Sequence, residues 1–356
     1  MIARHAVLVI DGAGRPWIDL LVEVLGRPLL DFVILNYAGL GFRSVTLVAP
    51  LGYPGLDRWT ASRIGDADVT TVTYAGEGPL AFVGRLGAPV RGPILLARAD
   101  KLVDGLERFI AHPQPAGAPG RVLAGADPIV WLLDAEVLWS CLADAGPDWT
   151  AALKRIGLVP WFDHGSVLDL GGPGLQGPAA LARRFHRPAV FLDRDGVINI
   201  DRGYTFRVED LAFTPTALDG IRVLNRAGRR VIVVTNQAGV ARGYYGLADV
   251  DRFHDAIQDK LMAGGAHIDA FYSSPYHPEG IVEAFRQRHE DRKPGAGMLL
   301  RAMRDWSIDA HGSVLIGDKD SDMEAAARAG IPGVLVPSDT CDLLAAAQRI
   351  LGNLAL

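Results

Sequence analysis

Two cysteines in 356 residues, Cys141 and Cys341, lie far apart and match no metal-ligand or disulfide spacing. That scarcity excludes a disulfide-stapled fold and a thiolate metal centre, and reads as two reduced core thiols in a cytoplasmic protein. Long apolar runs are missing too. No stretch approaches the roughly 18 residues of a membrane span. The apolar run behind Met1 is too short for a signal peptide and passes directly into a strand-like pattern. A basic excess is likewise absent. The net charge of −5 argues against nucleic acid or an anionic membrane as partner, since either requires a positive stripe. Internal repeats are not evident. These absences leave a small-molecule substrate.

What is present is a globular composition, 49% hydrophobic and 22% charged, in a chain too long for one average domain and suited to two. Residues 171–178, Gly-Gly-Pro-Gly-Leu-Gln-Gly-Pro, and the basic stretch from Arg183 to Pro188 mark the boundary. The domains are therefore expected at 1–180 and 187–356. In the second, apolar runs at 189–193, 230–235, 268–273, 313–317 and 333–337 alternate with helical patterns at 215–228, 247–263, 295–305 and 320–329. Strands apolar throughout and separated by helices predict an α/β fold with a parallel sheet covered on both faces. Ligands in such sheets bind beyond the carboxyl ends of the strands. Asp193, Thr235 and Asp318, each at or just past a strand end, are expected in one crevice. The first half is a second α/β unit, with strands at Ala6–Ile10, Ser44–Ala49, Ile94–Ala97 and Ile129–Leu133. Its helices are expected from about Leu29 to Leu40 and near 102–111, with a surface loop at 113–120.

At 190–199, Val-Phe-Leu-Asp-Arg-Asp-Gly-Val-Ile-Asn, an apolar run breaks into a glycine turn with two carboxylates two positions apart. Residues i and i+2 of extended chain project to the same side, so Asp193 and Asp195 can face one reacting group. Gly196 lets the backbone turn away without steric cost. One acid suits a nucleophile and the other a proton carrier. Alone, the pattern is shared with calcium loops and ordinary turns.

Four motifs in order add to it: Asp193-Arg-Asp-Gly-Val-Ile-Asn, Thr235-Asn-Gln-Ala-Gly-Val-Ala-Arg-Gly, Arg292-Lys293-Pro294 and Gly317-Asp318-Lys319-Asp-Ser-Asp322. On these, residues 189–337 resemble the haloacid-dehalogenase-type phosphatases, in the branch that holds heptose bisphosphatases and histidinol phosphatases. The resemblance implies a Rossmann-like fold and an aspartyl-phosphate intermediate on Asp193. It implies Mg²⁺ held by Asp193, the backbone carbonyl of Asp195 and Asp318. Asp195 would protonate the leaving oxygen and then deprotonate water, its carboxyl raised by like-charged neighbours. Lys293 would balance charge and Thr235 would hydrogen-bond the phosphoryl oxygens. Asp322 reads as a supporting acid or a helix cap, and Lys319 as a substrate-phosphate contact or a solvated charge.

Asp201, Gly203 and Tyr204 after the first strand, with Asn236, Gln237 and Arg242 after the second, resemble the heptose bisphosphatases more than the histidinol phosphatases. Arg292 suits a bidentate grip on a second phosphate, or a surface salt bridge. The implied reaction is removal of the 7-phosphate of D-glycero-D-manno-heptose 1,7-bisphosphate, with histidinol phosphate as the alternative substrate. Relatives often carry a zinc site of the form Cys-x-His followed by Cys-x-Cys. The aligned positions here are Ser274, Tyr276, His289 and Asp291, so no zinc is expected.

Residues 1–180 resemble, more distantly, the sugar-phosphate nucleotidyltransferases, at Gly26-Arg-Pro-Leu-Leu-Asp-Phe-Val-Ile, Leu96-Ala-Arg-Ala-Asp100 and Ser166-Val-Leu-Asp169. Such a transferase wraps a triphosphate in a glycine-rich loop with a lysine nearby. Asp11-Gly-Ala-Gly-Arg15-Pro begins with an acid, which would repel a triphosphate, and no lysine follows before Lys101. Three readings stand: a working transferase, a degenerate domain kept for assembly or sugar binding, and an unrelated α/β unit.

Overall fold

Five apolar segments pair into the sheet that carries the four motifs. In the computed structural model they are β1 (Pro188–Leu192), β2 (Arg230–Asn236), β3 (Ala270–Ser274), β4 (Asp309–Gly317) and β5 (Gly333–Leu335). Their order is β3-β2-β1-β4-β5, every pair parallel. Alternate positions Val190 and Leu192, Val231 and Val233, and Val314 and Ile316 share one face. They form a core with Ile221 and Leu224 of α1 (Ala217–Arg226), Phe253, Ile257 and Leu261 of α3 (Leu247–Ala263) and Leu343 of α6 (Leu343–Asn353). A spacing of three in α1 and of four in α3 sets those side chains on one helix face. Each fully buried one contributes about 1.5–3 kcal/mol. The intervening residues Ala189, Phe191, Ile232, Val234 and Leu315 are buried as well, so both faces of the sheet are covered. Between the strands lie a single turn, α2 (Ala238–Ala241), and the helices α4 (Gly297–Asp305) and α5 (Asp320–Arg328).

The structure describes residues 185–353 throughout. Before them it describes 5–10, 20–62 except 26, 41 and 43, 68–74, 93–103 except 100, 120–123, 130–134, 158–161 and 167–170, with 137, 153, 156 and 182 as single positions. The chain divides into two compact units, Met1–Ala182 and Arg183–Leu356. In the first, a seven-stranded sheet runs Val159–Trp161, Gly120–Leu123, Val130–Asp134, Pro93–Arg98, His5–Val9, Ser44–Pro50, Asp68–Tyr74. It is parallel except at Val130–Asp134, which opposes both neighbours. Helices Leu29–Gly39 and Leu56–Ser62 accompany it.

One expectation is corrected here. The start of the helix placed near 102–111 is a strand, Lys101–Val103, paired antiparallel with Val167–Asp169, a distant partner that local periodicity does not reveal, and residues 104–111 lie outside the described residues. Asp11 to Arg15, Gly26, Asp100, residues 113–119 and 171–178, Cys141 and the side chain of Asp169 lie outside the described residues. Among the described residues no helix is long and apolar enough to cross a membrane.

Candidate active site

The carboxyl ends of β1, β2 and β4 each deliver one part of a single site. Asp193 follows β1 and extends its ladder by one bond, its N–H donating to Ile316 O at 2.9 Å. The chain then turns: Gly196 donates to Asn199 O at 2.7 Å and Ile198 to Arg194 O at 2.9 Å. Gly196 sits at φ +87°, and a Cβ there would run into the carboxylate of Asp318 and the hydroxyl of Ser338. Conformation and space both require glycine, and the tight approach sets the first motif against the fourth.

Lys293 arrives from the long connection after β3. The side-chain amide of Asn236 grips its backbone from both sides, accepting its N–H at 3.0 Å and donating to its carbonyl at 3.0 Å. Its buried ammonium lies 2.9 Å from Asp193 Oδ1 and 2.6 Å from Asp322 Oδ1, and donates to Val234 O at 2.8 Å. Burial pushes the Asp193 carboxyl up to about 6, with Lys293 pulling it down and Asp322 and Asp195 adding to the rise. Burial alone would lower Lys293, and the pull of Asp193 and Asp322 outweighs it, so the ammonium is held above its ordinary value.

Asp193, Asp318 and Asp322 each offer an oxygen within 4.8 Å of the others. Asp322 is already engaged, by Lys293 on one oxygen and by the Lys319 N–H at 3.1 Å on the other. Asp318 is different. Its side chain is 1% exposed, neither oxygen has a hydrogen-bond partner, and the nearest cation is Lys319 Nζ at 3.8 Å. A buried carboxylate without a partner is costly, and this one faces a second carboxylate. Two hard oxygen donors so placed fit a hard divalent cation such as Mg²⁺.

Titration of Asp193 gives a test free of substrate. The folded chain holds the Asp193 proton more tightly than the unfolded chain, so without divalent ions the contribution of this one group to stability falls as pH rises from the usual carboxyl range to about 6, and the loss persists above it. In magnesium-free buffer Asp193→Asn is therefore expected to melt above wild type at about pH 8 and level with it at about pH 4. Melting temperature of both proteins against pH checks this, and an Asp193→Asn chain that melts below wild type at about pH 8 refutes the burial penalty.

Asp195 meets donors where the sequence suggested like charges. The guanidinium of Arg194, wholly buried, donates to both its oxygens at 2.9 to 3.1 Å, and Asn199 and Gln237 each donate at 3.0 Å. Arg194 in turn lies over the Phe253 ring at 4.7 Å and donates to Thr205 O at 2.8 Å. The Gln237 amide also donates to Thr235 Oγ1 at 2.9 Å, while its oxygen accepts the Tyr245 hydroxyl at 2.8 Å. Burial pushes the Tyr245 phenol up to about 12, so it remains a donor near neutrality. This relay ties the acid after β1 to the threonine at the end of β2.

Asp193, Asp195, Asp201, Gly203, Tyr204, Thr235, Asn236, Gln237, Arg292, Lys293 and Lys319 line one cavity of about 550 Å³, together with Tyr245 and Asp322. Lys319 reaches Asp201 at 3.6 Å. Arg242 is not in that lining and pairs with His277 at 3.3 Å and Glu279 at 3.8 Å. Sequence reasoning did not single out Arg194, Asn199 or Tyr245. The first two lie within the first motif, where their contact with Asp195 had a signal in proximity, whereas Tyr245 had none.

A carboxylate held against a buried lysine past the central strand of a parallel sheet is placed to take a phosphoryl group, and its unpartnered neighbour is placed to face the accompanying cation. The class so defined is the haloacid-dehalogenase-type phosphatases. A family model described as HAD-hydrolase-like matches residues 291–350. The D-glycero-beta-D-manno-heptose-1,7-bisphosphate 7-phosphatase of Rhodopseudomonas palustris is 45% identical over 157 residues, which is 44% of this chain and 87% of that protein. A solved structure of the D,D-heptose 1,7-bisphosphate phosphatase of B. bronchiseptica, complexed with magnesium and phosphate, is 29% identical over 47% of this chain and 99% of its own, with a TM-score of 0.43. The inositol-1-phosphate CTP transferase of T. maritima is 14% identical over 51% of this chain and 94% of its own, with a TM-score of 0.37. The chain belongs to the haloacid-dehalogenase-like phosphatases.

Proposed function

We propose that this chain removes the 7-phosphate of D-glycero-D-manno-heptose 1,7-bisphosphate through an aspartyl phosphate on Asp193. The observation that carries the mechanism is the contact of Lys293 with Asp193 at 2.9 Å beside the unpartnered carboxylate of Asp318. Asp193 attacks phosphorus as the bond from phosphorus to the sugar oxygen breaks, and Asp195 gives its proton to that oxygen. Asp195 then takes a proton from water, the water oxygen bonds to phosphorus as the bond from phosphorus to the Asp193 oxygen breaks, and free phosphate leaves with the Asp193 carboxylate restored. Lys293, Thr235 and backbone N–H groups stabilise the phosphoryl oxygens throughout. Mg²⁺ held by Asp193, Asp318 and the Asp195 carbonyl supplies charge neutralisation at the phosphate.

Substrate choice rests on the cavity wall. Arg292 offers a guanidinium fork to the second phosphate, with Lys319 adding positive charge. Asp201, Gly203, Tyr204, Asn236 and Gln237 shape the space for the sugar. The relative from R. palustris, named for this reaction, supports the choice. We place the phosphatase domain at 187–356 and read 1–180 as a degenerate nucleotidyltransferase-like domain, because an acid opens its loop at Asp11 to Arg15. A phosphate-release screen tests the substrate. Heptose bisphosphate is expected to exceed histidinol phosphate and sugar monophosphates in kcat/KM by on the order of 10²-fold, with turnover lost in EDTA. Histidinol phosphate turned over best would displace the heptose.

A further inference from the structure

The connection from β3 to Lys293 passes Ser274, Tyr276, His289 and Asp291, the positions at which the family resemblance implies zinc. These residues do not fit that ion. Ser274 offers a neutral hydroxyl, and the Tyr276 ring is stacked on the His289 imidazole with centroids 3.9 Å apart and planes 14° from parallel. His289 Nδ1 accepts the Asp291 N–H at 3.1 Å, and the Asp291 carboxylate is paired with Arg301 at 2.6 Å. No thiolate is present, the Asp291 carboxylate is held by Arg301, and the His289 ring is held flat against Tyr276.

We propose that these same contacts form a metal-free clamp, in which the Asp291–Arg301 ion pair and the Tyr276–His289 stack hold Arg292 toward the second phosphate of the substrate. This rests on the bisphosphate reading above. Arg301 is a fixed post: it projects from α4, and its guanidinium lies over the Tyr272 ring of β3 at 5.3 Å. Tyr272 also donates its hydroxyl to Asp305 at the end of the same helix, at 3.1 Å. Arg301 thus joins the sheet on one side to Asp291 on the other. Between them the turn closes through Arg292 N–H to His289 O at 3.1 Å, Gly295 N–H to Arg292 O at 2.7 Å and Gly297 N–H to Glu290 O at 2.9 Å. Arg292 is braced from the opposite arm, donating from Nη1 to Tyr276 O at 3.2 Å. Lys293, the next residue, has separate anchors in Asn236, Asp193 and Asp322. Loosening the clamp therefore moves Arg292 and leaves Lys293 in place, which makes Asp291 and Arg301 positioning residues for binding rather than for chemistry.

The full chain in magnesium buffer supplies the test. Treatment with dipicolinate, a zinc chelator, is expected to leave both melting temperature and turnover of p-nitrophenyl phosphate unchanged, and a loss restored by Zn²⁺ overturns the clamp. Arg301→Gln and Asp291→Asn are each expected to raise KM for heptose bisphosphate about tenfold with kcat within about twofold, and Arg301→Lys to recover most of the difference. Unchanged KM in both variants, or a fall in kcat of the same size, overturns it too. A wild type with no preference for the bisphosphate defeats the substrate reading instead, and the chelation arm then decides the clamp by itself.

Discussion

Asp193→Asn is expected to lower phosphate release by on the order of 10⁴-fold or more while leaving the chain folded. An amide has nearly the shape of the carboxylate and keeps an oxygen for the Arg194 N–H, which Asp193 Oδ1 accepts at 2.7 Å. It lacks the charge that attacks phosphorus. The residue is buried at the end of the central strand, so a larger substitution would confuse lost chemistry with lost packing. Rapid quenching of wild type during turnover is expected to trap phosphate that hydroxylamine releases from the protein, as an acyl phosphate requires, and the variant is expected to trap none. Turnover near the wild-type rate in Asp193→Asn would sink the nucleophile assignment whatever the substrate.

Lys293→Met carries the second large effect, on stability and activity together. The side chain is buried, and its ammonium lies between Asp193 and Asp322, themselves buried. Removing one partner of a buried ionic group costs about 3–5 kcal/mol, because the charges left behind are not compensated. Denaturant unfolding in magnesium-free buffer is expected to show a loss of about that size. Adding Asp322→Asn removes one stranded charge and is expected to restore part of it, the sign of coupling between contacting residues. Activity does not return in the double variant, since the cation beside the phosphoryl group is gone. Equal stabilities of Lys293→Met and wild type would mean that the ammonium does not compensate these acids.

The sheet of the second unit was legible because its strands are apolar on both faces and short, bounded by glycine and helical periodicity. The predicted run at 230–235 and the observed strand Arg230–Asn236 differ by one residue. The α6 helix and the single turn α2 did not stand out, the first because its alanine-rich run Leu343–Asn353 follows the last strand with little polar contrast, the second because four residues carry no period. The strand Lys101–Val103, which displaces the expected helix start at 102, escaped for a related reason: its partner lies at Val167–Asp169, outside any local window. Within the site, spacing exposed the acids and the lysine, whose chemistry depends on residue type. Asn236, which lines the cavity, also grips the backbone of Lys293, and Tyr245 orients Gln237. Neither role has a motif, because each exists only where two distant loops meet.

Sequence alone determined the succession of the five strands of the second unit and the strand ends at which charged residues would gather, since burial on both faces dictates composition and a glycine after a strand dictates a turn. It also determined which residue types were on hand for phosphate chemistry. Only the tertiary structure decided how the charges pair. Asp318 and Asp322 stand four residues apart in one acidic motif, yet Lys293 reaches Asp322 at 2.6 Å and leaves Asp318 buried without a hydrogen-bond partner. The reason is that compensation of a buried charge depends on distance through space, and a connection entering from beyond β3 sets that distance.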